Sequence, residues 1–157
     1  MLKDKRIGFI GSGNMAEALV SGIVLSNAAK AENIICSDLN QDALDNIKES
    51  YGVNITLSNL EVVEKSEIVI YAVKPQILGE VLNETNHLLD KSKLIISIAA
   101  GVPLAAIAAG LKKELRLIRV MPNICAFVKE SATAIAAGEF VQEGDVELAK
   151  AIFDSVG

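Results

Sequence analysis

The hexapeptide Gly11-Ser12-Gly13-Asn14-Met15-Ala16 constrains this chain more than any other feature. It fits the pattern G-x-G-x-x-A, follows directly on the apolar run 6–10, and opens a stretch, 15–26, whose apolar residues recur at helical spacing. Such a turn joins a strand to a helix. Gly11 permits the tight reversal, Gly13 lets a pyrophosphate approach the backbone, and Ala16 keeps the helix close to the sheet. The helix start then presents free N–H groups and a partial positive charge to the phosphates. A plain glycine turn without a ligand is the alternative, and the order strand, glycines, helix favours the binding turn.

The rest of the chain repeats this alternation. Runs of β-branched and aliphatic residues at 6–10, 33–37, 68–73, 94–98 and 117–121 are separated by helical spacing at 15–26, 41–51, 76–89 and 104–111. That pattern marks βαβ units and a parallel sheet. Runs as continuous as Ile68-Val69-Ile70-Tyr71-Ala72-Val73 imply burial on both faces. The expected fold is α/β: a Rossmann-type, doubly wound, mainly parallel sheet with helices on both faces. Its early strand order should be 3-2-1-4-5, with the Gly11 turn at the switch between the first and fourth strands. A weak strand near 53–56, a short crossing helix at 60–65, a strand at 133–137 and a last helix over about 143–156 complete the reading. The length of 157 residues suits one domain, so residues 1–157 are read as one dinucleotide-binding domain. The last helix runs to the end of the sequence at Gly157, and the chain reads as a fragment.

Composition narrows the partners. Of the residues, 51% are hydrophobic, and the formal net charge is −5. The one basic cluster, Lys3-Asp4-Lys5-Arg6, is interrupted by an acid, which argues against nucleic acid or an anionic membrane. Residues 94–111 carry no charge over 18 positions, but Ser97, Gly101 and Pro103 divide them into strand, turn and helix rather than a membrane span. Cys36 and Cys125 match no metal or redox spacing and read as reduced thiols of a cytosolic protein. There is no Ser/His/Asp grouping, P-loop or cluster of metal ligands, so hydrolysis, phosphoryl transfer and a metal site have no support. Hydride transfer needs none of these, because the cofactor does the chemistry.

Ligands of open parallel sheets lie outside the carboxyl ends of the strands, and the remaining candidates fall there. Asp38, 22 residues after Ala16, suits a bond to the ribose 2′-hydroxyl of NAD and would repel the 2′-phosphate of NADP. The competing role is a helix cap shared with Asn40 and Asp42. Lys74, before Pro75, leaves the sheet extended and either meets a phosphate or ribose or is simply solvated. The small residues of Ser97-Ile98-Ala99-Ala100-Gly101-Val102-Pro103 let a flat ring approach or serve close helix packing. Asn123 offers a donor and an acceptor for a carboxamide or imine, or sits in a Pro-Asn turn. His87 reads as a surface residue and Cys125 as a passive small side chain.

Together, the Gly11-to-Ala16 turn, Ala72-Val73-Lys74-Pro75-Gln76, Ser97-Ile98-Ala99-Ala100-Gly101-Val102 and Arg119-Val120-Met121-Pro122-Asn123 resemble pyrroline-5-carboxylate reductase over the whole chain. The resemblance implies reduction of the cyclic imine 1-pyrroline-5-carboxylate to L-proline with NADPH or NADH, in a cytoplasmic homo-oligomer. It also implies that Ile10, Gly11, Ser12, Gly13, Asn14 and Met15 hold the pyrophosphate. Asp38 would face the adenine ribose, with Asn59 at the same end, and Asp38 favours NADH. Ala72, Val73, Lys74, Pro75, Ala99 and Ala100 would line the ribose and nicotinamide.

Two positions depart from the family. Ile124-Cys125 follows Met-Pro-Asn where Thr-Pro is usual, and Ser131 precedes Ala132. The family's helical domain, which dimerises and carries a Ser-Pro-Gly-Gly-Thr stretch on the proline side, has no counterpart here. The chain is therefore expected to bind cofactor and turn over little imine by itself. The residue that protonates the imine is not assigned. Two alternatives stand beside this reading: a non-catalytic dinucleotide-sensing domain, and the cofactor domain of a related hydroxyacid dehydrogenase.

Overall fold

The continuous apolar runs become short, fully covered strands. The structure, a computed structural model, describes residues 2–111, 114–121 and 134–156. Strands β1 (Ile7–Ile10), β2 (Ile34–Ser37), β4 (Ile68–Tyr71) and β5 (Leu94–Ser97) are four residues each and buried at every position. Their connecting helices are α1 (Asn14–Leu25), α2 (Gln41–Tyr51), α3 (Asn59–Lys65) and α4 (Pro75–Thr85). Strand β3 (Asn54–Thr56) lies between α2 and α3. Beyond β5 come α5 (Leu104–Leu111), β6 (Arg116–Met121), β7 (Ala134–Ala137) and α6 (Asp145–Asp154).

The sheet order is β3-β2-β1-β4-β5-β6-β7. The first six strands are parallel and β7 returns antiparallel to β6. This is the doubly wound sheet expected from the sequence, with the switch between β1 and β4. Element ends differ slightly from the periodicity. The helix expected over 76–89 is α4 followed by a 3-10 turn at Asn86–Leu88, the tighter winding common at helix ends. The last helix begins only at Asp145, because Gly144 at φ +91° forms its entry.

Side chains alternate between two cores. Phe9, Cys36, Ile70, Ile96 and Ile118 point to a layer with Leu19 and Ile23 of α1 and Ile152 and Phe153 of α6. Val69, Tyr71, Ile95 and Leu117 point to the opposite layer with Val62 of α3, Leu78 of α4 and Ile107 of α5. Gly8 lets α3 cross close to β1: a Cβ there would stand 2.2 Å from Ser66 Oγ and 2.5 Å from Val62 Cγ1. Burial pushes the Cys36 thiol up to about 12, so it stays protonated and inert within its core.

The parallel register is flush. Ile10 lies opposite Ser37 and Tyr71, Tyr71 opposite Ser97, and Ser97 opposite Arg119. The chain therefore leaves β1, β2, β4 and β5 along one edge, which gathers the segments singled out above.

At the far end of the sheet, α6 is tied to β6 by an ion pair. Arg116 donates from Nε to Asp145 Oδ2 at 3.0 Å and from Nη2 to Oδ1 at 2.6 Å, while the Gln142 N–H donates to Oδ2 at 2.7 Å. The Asp145 side chain is only 2% exposed. Burial alone would raise its pKa, but these hydrogen bonds and the Arg116 charge outweigh it and hold the carboxyl below the usual range. A depressed carboxyl adds stability that is present above its unfolded pKa, about 3.9, and is lost as pH falls through the folded value. Asp145→Ala should cost about 3 kcal/mol at neutral pH by leaving Arg116 unpaired. Urea denaturation across pH checks this: the difference between native and variant should shrink below about pH 4.

Candidate functional site

At the end of β1 the backbone reverses at Gly11, whose φ is +100°. A Cβ there would stand 2.6 Å from the Ala72 carbonyl oxygen, so conformation and space both require glycine. Gly13 differs. Its φ of −77° suits any residue, and a Cβ would meet nothing within 4 Å. The room beside it is a cradle that a side chain would fill, which fits a pyrophosphate drawn up to the backbone.

Gly13 also caps α1 without a side-chain hydrogen bond, whereas Asn40 caps α2 and Ser58 caps α3 through their side chains. Among the described residues no side chain accepts from the first N–H groups of α1, which are available to an anion.

The turn hangs from the end of β2. The Ser37 carbonyl accepts from Gly11 N–H at 2.9 Å and from the Ser12 hydroxyl at 3.0 Å. Asp38 Oδ2 accepts from Ser12 N–H at 2.8 Å, and Oδ1 accepts from Asn40 N–H at 2.9 Å. The cap of α2 is Asn40, whose Oδ1 accepts from the N–H groups of Asp42 and Ala43. Asp38 therefore does not cap the helix. It faces the glycine turn, half-buried, and each oxygen keeps a further lone pair.

Asn59 belongs to the same assembly. The Ser37 hydroxyl donates to Asn59 Oδ1 at 2.7 Å, and Asn59 Nδ2 donates to Glu84 Oε1 at 2.9 Å. The family resemblance names Asn59, whereas Ser37 and Glu84 carry no such mark, since their contacts span 22 and 25 residues and no motif signals them. Leu39 and Leu57, following Asp38 and β3, are 92% and 60% exposed. Two bare aliphatic side chains at the ligand edge were a missed signal, and each was visible as a leucine in a polar turn.

The β4 segment meets the turn directly. Ala72 N–H donates to the Ile10 carbonyl at 2.8 Å. Val73 Cγ1 would lie 3.2 Å from a Cβ on Gly11. Lys74 is extended, at φ −62° and ψ 147°, and exposed, with Pro75 opening α4. Ile10 and Ala99 are buried, so they offer backbone rather than side chains, and Ala100 is exposed. Asn14 is exposed and Met15 half-buried against the α1 core. His87 is exposed. Asn123 and Cys125 lie outside the described residues.

Tyr71, the last residue of β4, is fully buried, and its hydroxyl is 2.8 Å from Thr85 Oγ1. Burial pushes its pKa up to about 12 against the lowering effect of that hydrogen bond, with Glu84 adding to the rise. It is a neutral structural hydroxyl, remote from use as a proton donor at neutral pH.

The two glycines differ in what the fold requires of them: Gly11 must be glycine, and Gly13 need not be. Gly11→Ala should destabilise the chain by about 3 kcal/mol through strain and overlap with Ala72. Gly13→Ala should leave the melting temperature unchanged. It should weaken dinucleotide binding by about 10–100-fold, the worth of a hydrogen bond to a charged group. Thermal melts and calorimetric titrations of both variants check the division.

Known proteins share the sequence pattern and the fold of this chain. Residues 6–101 match the model of a family described as NADP oxidoreductase, coenzyme F420-dependent. A pyrroline-5-carboxylate reductase of Methanosarcina acetivorans is 40% identical over 99% of this chain and 58% of its own length. The structure of a pyrroline-5-carboxylate reductase from Coxiella burnetii superposes with a TM-score of 0.93 at 35% identity, covering 98% of this chain and 57% of that one. A Plasmodium falciparum pyrroline carboxylate reductase with NADP bound gives 0.88 at 31% identity, over 100% of this chain and 57% of that one. The chain spans somewhat more than half the length of these relatives.

Proposed function

This chain belongs to the NADP oxidoreductase, coenzyme F420-dependent family, and from that premise we propose that it is the dinucleotide-holding part of a reductase converting 1-pyrroline-5-carboxylate to L-proline. The observation that carries the reading is the Gly13 cradle, open at the start of a helix without a side-chain cap and fixed to β2 through Ser37 and Asp38. The names of the matched relatives support the substrate class, and the NADP bound in the Plasmodium protein supports a nicotinamide dinucleotide as ligand.

Ile10 to Met15 hold the pyrophosphate, largely through backbone. Asp38 reads the adenine ribose with Asn59 beside it, and Leu39 and Leu57 give the adenine apolar surface. Ala72 to Pro75 and Ala99-Ala100 border the ribose and nicotinamide, and Asn123 serves the carboxamide or imine. The chemistry supplied by the bound group is hydride transfer to the imine carbon. A homo-oligomeric, cytoplasmic enzyme is what the resemblance implies, and no described helix is long and apolar enough to cross a membrane.

Asp38 biases the site toward NADH. Its carboxylate accepts from a ribose hydroxyl, whereas a 2′-phosphate brings about two negative charges against it. Asp38→Asn removes the charge and keeps an acceptor for Ser12 N–H, so it should narrow the preference for NADH over NADPH by about tenfold, some 1.4 kcal/mol. Calorimetric titration of both cofactors tests this, and equal affinities in the native chain would refute the bias. Failure of the native chain to bind either cofactor would refute the function.

A further inference from the structure

Among the hydrogen bonds at the adenosine end, those joining Ser37, Asn59 and Glu84 form a chain whose direction is set at one point. A serine hydroxyl donates or accepts, and an asparagine amide does either according to which way it is turned. A carboxylate only accepts. Glu84 lies on α4 and is exposed, Asn59 is half-buried at the start of α3, and Ser37 is fully buried at the end of β2. Turning Asn59 over would set its carbonyl oxygen against the Glu84 carboxylate at the 2.9 Å now spanned by an N–H donor. That arrangement is repulsive, so only one sense of the chain is stable: Ser37 donates to Asn59, and Asn59 donates to Glu84.

We infer that Glu84 is a positioning residue for the dinucleotide: by setting the direction of the Ser37–Asn59–Glu84 chain, it fixes which way the Asn59 amide faces a bound ribose. This inference rests on the function proposed above and deepens it. With the amide so held, Asn59 keeps one N–H for a ligand, while Asp38 next to Ser37 is acceptor-only. One donor on Asn59, bonded to the Ser37 hydroxyl, and one acceptor on Asp38, the next residue in the chain, would suit a vicinal diol, in which one hydroxyl gives its proton to Asp38 and the other accepts from Asn59. A freely turning amide would offer this donor only part of the time. The Ser37 carbonyl, on the same residue as the buried hydroxyl, carries the glycine turn, so the ribose reader and the phosphate cradle share one anchor.

The test is a titration of NADH, read by nicotinamide fluorescence, against the native chain, Glu84→Ala, Glu84→Gln, Asn59→Ala and the Asn59→Ala/Glu84→Ala double variant. Glu84→Ala should raise Kd by about 3–10-fold, the worth of one net hydrogen bond. It should have no further effect in the Asn59→Ala background, because it acts only through that amide. Glu84→Gln still offers an acceptor but permits both directions of the chain, so it should bind within about twofold of native, as expected when half the molecules are competent. The inference is overturned by an unchanged Kd in Glu84→Ala, by losses that add independently in the double variant, or by a Glu84→Gln as weak as Glu84→Ala. If the native chain binds no dinucleotide, the proposed function fails and this role with it. Native binding with an indifferent Glu84 removes the positioning role alone.

Discussion

The carbonyl oxygen of Ser37 is the point from which the ligand edge is suspended. It accepts from the Gly11 N–H and the Ser12 hydroxyl, while the neighbouring Asp38 carboxylate takes the Ser12 N–H. A glycine turn is entropically costly to order, and these three bonds hold it against β2 before any ligand arrives. On its other side the turn rests on β4, where the Ala72 carbonyl occupies the space a Gly11 side chain would need. The cradle is thus wedged between the strands on either side of β1, so its shape depends on the sheet rather than on the loop alone. A preformed cradle spares the ligand the cost of ordering it.

Most of the architecture was legible because its causes are local. Four-residue strands buried on both faces, such as Ile68 to Tyr71, must read as unbroken apolar runs, and the helices between them must show one apolar face. Glycines and prolines then mark the exits, as Pro75 does at the start of α4. Where boundaries slipped, the reason was finer than periodicity. Leu88 and Leu89 continue the apolar spacing of α4, yet the chain has already tightened into the 3-10 turn that leads toward β5.

The site was legible by half. Backbone requirements leave traces in residue type, so Gly11, Gly13 and Asp38 were found from spacing. Side-chain pairings between distant elements leave none: nothing in the sequence joins Asn59 to Glu84, or Arg116 to Asp145 at a separation of 29 residues. At Asp38 the geometry excludes the helix cap, since Asn40 caps α2 and Asp38 is turned toward the glycines. Ile10 and Ala99 stand in motif positions, but their side chains belong to the core, so only their backbone is open to the sheet edge.

The flush register has a consequence for how such a chain can vary. Ile10, Ser37, Tyr71, Ser97 and Arg119 stand in one row, and the segments singled out at the candidate site begin directly after it. Inserting or deleting one residue within a strand would move the exit of its loop by about 3.3 Å and turn its side chains to the wrong layer. Loops at the opposite edge, such as 89–93, are bound by no such row. Length variation among chains of this architecture should therefore collect on the side away from the cradle, leaving the ligand edge nearly constant in its spacing.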